Sequence, residues 1–214
     1  PYRYAGPQML SDEFVLQRCD EIILQKRECV RWMRAQTHAV LDAAYCIAGG
    51  SGYILYRGRK TAVAVDATAK TSYVDVTGDD AVIRLALPQT CSRKEVDRAL
   101  LALFKAQAKT VLGDLMEAYR GSARHWPASW SLSSARMRWG CCTTRNTIRL
   151  SWRLIFLDDA VASYVIAHEL AHLEHFNHSK VFWKEVERLC PDWRVQLAKL
   201  NAAKVLPELE EVGQ

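Results

Sequence analysis

The pentapeptide His168-Glu169-Leu170-Ala171-His172 constrains this chain more than any other stretch, because its two imidazoles converge only if the segment is helical. Residues four apart stack one turn above each other on a helix face, so both rings can reach a single metal ion. Glu169 then stands beside that ion rather than on it, where a carboxylate can take a proton from a metal-bound water. A third histidine follows in Asn177-His178-Ser179.

Geometry ranks the candidates for a third ligand. His175 would share the helix face, but at a rise of 1.5 Å per residue it stands about 10 Å along the axis from His168. Bonds of about 2.1 Å to one ion cannot span that distance. His178 has the offset of the last histidine in the extended H-E-x-x-H-x-x-G-x-x-H signature, in which the chain leaves the helix and turns back to the metal. The signature's glycine position is His175 here, and Asn177 is the nearest residue that tolerates a left-handed turn. His178 is therefore the expected third ligand, with Glu185 or Glu187 as carboxylate alternatives. One Zn2+ per chain is expected, another divalent metal being the alternative.

With 214 residues and 50% hydrophobic content, the chain can bury a sizeable core as one domain or a domain with an appendage. The formal net charge of +5 suits an acidic substrate or a nucleic acid, but it suits an ordinary solvated surface at least as well. Seven cysteines form an odd set without a C-x-x-C pair, which argues against a disulfide framework. No apolar run approaches the ~18 residues of a membrane span, and the Pro1-Tyr2-Arg3-Tyr4 stretch lacks a signal-peptide h-region. A cytoplasmic, reduced protein is expected.

The pattern along the chain reads as α+β. Residues 1–48 form an expected N-terminal helical appendage: no Gly or Pro occurs from Ser11 to Cys46, and Phe14, Val15, Ile22, Ile23, Val30, Met33 and Val40 recur at helical spacing. Gly49-Gly50-Ser51-Gly52 ends it. A hydrolase domain is expected over 53–205. Its first part, 53–87, holds four short β-type runs that read as an antiparallel meander. A scaffold helix over 92–120 opens on the capping box Ser92/Glu95. The catalytic core, 130–195, holds strands near 130–138 and 147–155, the metal helix capped by Asp158, and a helix started by Ser179 and stopped by Pro191.

Residues beside the metal must steady developing negative charge. Arg138 and Tyr164 are candidates; a surface ion pair and core packing are their respective alternatives. In the run 147–154, Arg149 and Arg153 alternate with Ile148, Leu150, Trp152 and Leu154, so their polar face could grip a carboxylate or phosphate, or simply be solvated. Cys141 and Cys142 point to opposite faces of a strand and cannot both bind one ion.

Several runs together resemble the YgjP-like metal-dependent hydrolases, relatives of the SprT-like metalloproteases. They are Arg138-Trp139-Gly140-Cys141-Cys142, Ile148 to Leu154, Tyr164 to Leu173, Asn177-His178-Ser179, Phe182-Trp183 and Pro191-Asp192. Leu55-Tyr56-Arg57-Gly58-Arg59-Lys60 is a weaker element of the same likeness. Cys141 departs from the family's usual Ser in the Trp-Gly-Ser-Cys run. The resemblance implies a zinc site of His168, His172 and His178, with Glu169 as base.

Peptide hydrolysis is the expected reaction, with the strand at 147–154 pairing along an extended substrate. The alternative is pyrophosphate cleavage of a nucleoside triphosphate such as UTP, with Arg138, Arg149 and Arg153 on the phosphates. A non-catalytic metal-stabilised module is a third reading, and the presence of Glu169 counts against it.

Overall fold

The structure is a computed structural model that describes residues 51–76, 80–135 and 138–202. The expected helical appendage at 1–48 lies outside the described residues. The architecture is α+β: two small sheets and four α-helices among the described residues.

The first sheet contains β1 (Ser51–Tyr56), β2 (Arg59–Val65), β3 (Tyr73–Asp75) and β4 (Val82–Leu85). Its order is β1-β2-β4-β3, with β2 and β4 parallel, so it is not the antiparallel meander the sequence suggests. Burial explains the difference. In β4, Ile83 and Leu85 are fully enclosed, whereas β3 has three residues and an exposed Tyr73. The more apolar strand takes the central place beside Val63, and the short one is left at the edge.

At the β1–β2 turn, Arg57 and Gly58 both have positive φ, 47° and 75°. Their N–H groups donate to the carbonyls of Ile155 and Phe156, which docks the hairpin onto the segment preceding the helix that carries His168. Gly58 is required there: a Cβ would stand 2.8 Å from that of Asp158.

Helix α1 (Arg93–Glu117) begins at the expected capping box, in which Ser92 and Glu95 satisfy each other's backbone N–H groups. It buries Val96, Leu100, Phe104, Ala108, Leu112 and Met116 along one face. Phe104 meets Phe156 edge to face at 5.1 Å, and Phe156 meets Trp152 at 5.6 Å, forming the aromatic centre of the core.

The second sheet contains β5 (Ser129–Ser133), β6 (Gly140–Cys142) and β7 (Thr147–Ser151) in the order β5-β7-β6, with β7 parallel to β5 and antiparallel to β6. β7 stops at Ser151, short of the expected strand end at 155. Ser151 caps a 3-10 helix over Trp152–Phe156 by accepting the Arg153 N–H, and all five of its residues are buried. The alternation that reads as a continued strand is instead one turn pressed into the core. It leads to α2 (Asp159–Ala171), capped by Asp158, then α3 (Lys180–Leu189), capped by Ser179, and α4 (Trp193–Ala202). No helix among the described residues is long and apolar enough to cross a membrane.

Candidate metal centre and its base

Helix α2 presents His168 and His172 from one face near its C-terminal end. The His172 N–H caps back onto the His168 carbonyl, and residues 173–178 then carry the chain round so that α3 starts immediately after His178. His178 Nε2 lies 3.2 Å from His168 Nε2. One ligand atom from each of His168, His172 and His178 falls within a 4.8 Å cluster, the only such metal-compatible group among the described residues.

That geometry fits a metal. Tetrahedral ligands with bonds of about 2.1 Å stand roughly 3.4 Å apart, so the 3.2 Å pair already has the spacing and the wider pairs need only a small closure. His172 donates its Nδ1 hydrogen to the His175 carbonyl at 2.9 Å, leaving Nε2 with its lone pair. Burial pushes His168 down to about 4, with His172 and His178 adding to the effect, and burial likewise lowers His172. Both rings are neutral lone-pair donors near pH 7.

Glu169 points from the same helix towards β6 and is almost fully enclosed. Burial raises its carboxyl to about 7, opposed by a hydrogen bond from the Cys142 backbone N–H and by the charge of Arg138. A carboxylate tuned to that range is suited to take and return a proton at neutral pH. Its Oε2 is buried with no partner among the described residues, an acceptor that lacks a donor.

Gly140 explains how the carboxylate fits. A Cβ on this residue would lie 2.6 Å from Glu169 Oε1 and 2.8 Å from its Cδ, so the Glu169 carboxylate occupies the space any other side chain would need. The backbone bonds Thr143–Thr147 and Trp139–Ser151 set the parity of the β6–β7 ladder. Cys141 therefore directs its backbone groups to β7, while Gly140 and Cys142 direct theirs to the side of β6 away from β7.

The remaining expected site residues separate. Tyr164 is buried, with its ring 6.1 Å from that of His168, and burial raises its hydroxyl. Arg138 is exposed and close enough to act on Glu169.

Arg149 and Arg153 need correction. Gly140, Cys142, Ile148 and Leu150 share the sheet face turned to α2, so Arg149, paired with Cys141, projects from the opposite face. Arg153 is buried in the 3-10 helix, where it donates to the Ser134 carbonyl at 3.0 Å and lies over the Trp152 ring. The expectation that β7 pairs with substrate also fails, because both of its edges are occupied, by β5 and β6.

The alternative third ligands are engaged elsewhere. Glu185 is held by Arg188 at 2.6 Å and faces Arg124 at 3.4 Å, and Glu187 pairs with Arg194 at 2.7 Å. His175 faces Glu174 at 3.8 Å. Cys142 has its thiol pushed up to about 11 by burial, and it is not among the three residues that converge at 168, 172 and 178.

Sequence reasoning missed Gly140 and the Cys142 N–H as contacts of Glu169. The signal for them was the Arg138-Trp139-Gly140 run itself, whose glycine lies inside a strand.

The family model described as YgjP-like, metallopeptidase domain, matches residues 10–203 of this chain. The chain belongs to that family and is a metal-dependent hydrolase of the peptidase type. Among solved structures, it is similar to the metallopeptidase zymogen of Pyrococcus abyssi abylysin, at 22% identity and a TM-score of 0.40 over 45% of this chain and 99% of that one. It is also similar to the metallopeptidase zymogen of Methanocaldococcus jannaschii jannalysin, at 16% identity and a TM-score of 0.32 over 44% and 96% of the two chains. No curated protein matches it.

Proposed function

We propose that the protein is a zinc peptidase in which His168, His172 and His178 hold the ion and Glu169 is the general base. The observation that carries this reading is the convergence of three imidazoles beside a buried carboxyl whose Oε2 lacks a donor. Zinc, when bound there, supplies Lewis acidity and lowers the pKa of a coordinated water towards about 7.

Glu169 takes the proton from the attacking water and passes it on to the leaving amine. Its other oxygen stays fixed by the Cys142 N–H, which keeps the carboxylate aimed. The charge of Arg138 acts on Glu169, which supports a role for this residue in steadying an oxyanion.

An extended polypeptide has a place to lie. The side of β6 away from β7, which no strand among the described residues occupies, offers the Gly140 and Cys142 carbonyls for strand addition, beside Glu169. The nucleotide reading is less well supported, since Arg149 projects from the sheet face turned away from α2 and Arg153 is buried on the Ser134 carbonyl.

The test pairs an unstructured polypeptide with nucleoside triphosphates, using zinc-loaded wild type and Glu169→Gln. Cleavage of the polypeptide that falls by about 10² to 10⁴-fold in the variant is expected. Triphosphate cleavage lost with Glu169 would replace this reading with the nucleotide one, and near wild-type turnover in the variant would end the assignment of the base.

A further inference from the structure

The three histidine rings have a fourth aromatic neighbour that the chemistry so far has not used. The centroids of His168, His172 and His178 lie 4.8, 5.1 and 4.9 Å apart, a nearly equilateral triangle. Phe182 stands 4.9 Å from His168, 4.5 Å from His172 and 4.8 Å from His178. A point equidistant from three corners lies on the axis of the triangle, so this one ring closes one side of the histidine trio. It is fully enclosed, whereas His178 is exposed, so solvent reaches the trio from elsewhere.

The neighbouring residue acts on the least anchored histidine. His178 is on the loop before α3, and Trp183 lies nearly parallel to its ring, 5.8 Å away at 27°. Trp183 is in turn stacked on Trp193 of α4 at 4.4 Å and 19°. The column Trp193–Trp183–His178 thus runs from the last described helix to the loop imidazole, while Phe182 meets the same imidazole edge-on at 86°.

Local sequence explains how two adjacent residues both reach the site. Ser179 caps α3 by accepting the Phe182 N–H, so the helix begins directly after His178 and its first turn folds back against the trio.

We propose that Phe182 and Trp183 are positioning residues for metal binding: Phe182 sets the spacing of all three imidazoles, and Trp183 fixes the ring of His178. This rests on the reading of the three histidines as zinc ligands. Van der Waals contact with rigid rings removes rotamers that cannot ligate, so less order has to be imposed when the ion binds. Outer-shell partners of metal-binding histidines commonly govern affinity by about 10 to 100-fold through hydrogen bonds. Here ring packing adds to the His172–His175 hydrogen bond in that role, in a site where His168 Nδ1 has no hydrogen-bond partner among the described residues.

The experiment measures Zn2+ affinity of the metal-free full chain by competition with a chromogenic chelator, together with thermal unfolding of the same metal-free samples. Wild type, His178→Ala, Phe182→Leu, Trp183→Leu and Trp183→Phe are compared. Phe182→Leu is expected to bind one Zn2+ about 10 to 100-fold more weakly, and Trp183→Leu about 10-fold more weakly. Trp183→Phe should restore most of the loss, because it restores the ring. A Co2+-loaded sample should show an altered visible spectrum in Phe182→Leu, which a purely structural role would leave unchanged.

Folded Phe182→Leu with wild-type zinc affinity would overturn the inference while leaving the zinc site standing. If His178→Ala binds zinc like wild type, the ligand set itself is wrong and the inference falls with it. Should Phe182→Leu fail to fold, the Trp183 pair decides: equal affinities for the Leu and Phe variants would overturn the proposal.

Discussion

Gly140→Ala is the perturbation that most directly tests how the base is held. The added Cβ would stand 2.6 Å from Glu169 Oε1, 2.7 Å from Cγ and 2.8 Å from Cδ, where ordinary contact begins at 3.4 Å. The carboxylate must retreat by roughly 0.6 to 0.8 Å, or β6 must move by as much, taking the Cys142 N–H with it. A misplacement of about 1 Å in a catalytic group costs on the order of 10²-fold in rate, about 2.7 kcal/mol of barrier. Overpacking against the buried Glu169 side chain adds about 1 to 3 kcal/mol of destabilisation.

The assay is steady-state cleavage of an unstructured polypeptide by zinc-loaded protein, with zinc content and a denaturant midpoint measured on the same samples. The expected result is kcat lower by about 10²-fold with one bound zinc retained. In a Glu169→Gln background the same change should add little, since two substitutions acting on one group are not additive. A folded, zinc-loaded Gly140→Ala enzyme within about threefold of wild type would refute the cradle argument, because an intact base cannot share that space.

Two further outcomes follow from groups outside the metal centre. Arg153→Ala should destabilise the fold by about 1.5 to 3 kcal/mol through loss of its bond to the Ser134 carbonyl, while Arg149→Ala stays within about 0.5 kcal/mol of wild type. Urea midpoints check both, and a selective rise in KM for phosphate-bearing substrates in either variant would contradict the placement. Arg188, by hydrogen bonding, holds the Glu185 carboxyl below its ordinary value of 4.5, against the opposing effect of burial. A lowered folded-state pKa means that this stabilisation is present above about pH 4.5 and is lost as the pH falls further. Thermal midpoints of wild type should therefore drop more steeply below pH 4.5 than those of Glu185→Gln, and parallel curves would count against it.

The local parts of this protein are legible in its sequence because they depend on residues close together along the chain. The capping box at Ser92/Glu95, the Asp158 and Ser179 caps and the one-turn spacing of His168 and His172 each depend on a few neighbouring side chains, and the helices start where those caps stand. The α+β class follows from the same periodicities. Tertiary structure alone decided which strand lies beside which. Burial of Ile83 and Leu85 put β4 next to β2, and the enclosure of Trp152 to Phe156 turned an apparent strand end into a 3-10 turn, taking Arg153 inward with it. Alternation along 147–154 could not reveal that Arg149 faces away from α2, because a period of two distinguishes the faces of a strand but not which face meets the helix. The cradle of Glu169 and the ring of Phe182 against three histidines are of the same kind: contacts between elements distant along the chain or folded back on each other, fixed only when the core closes around them.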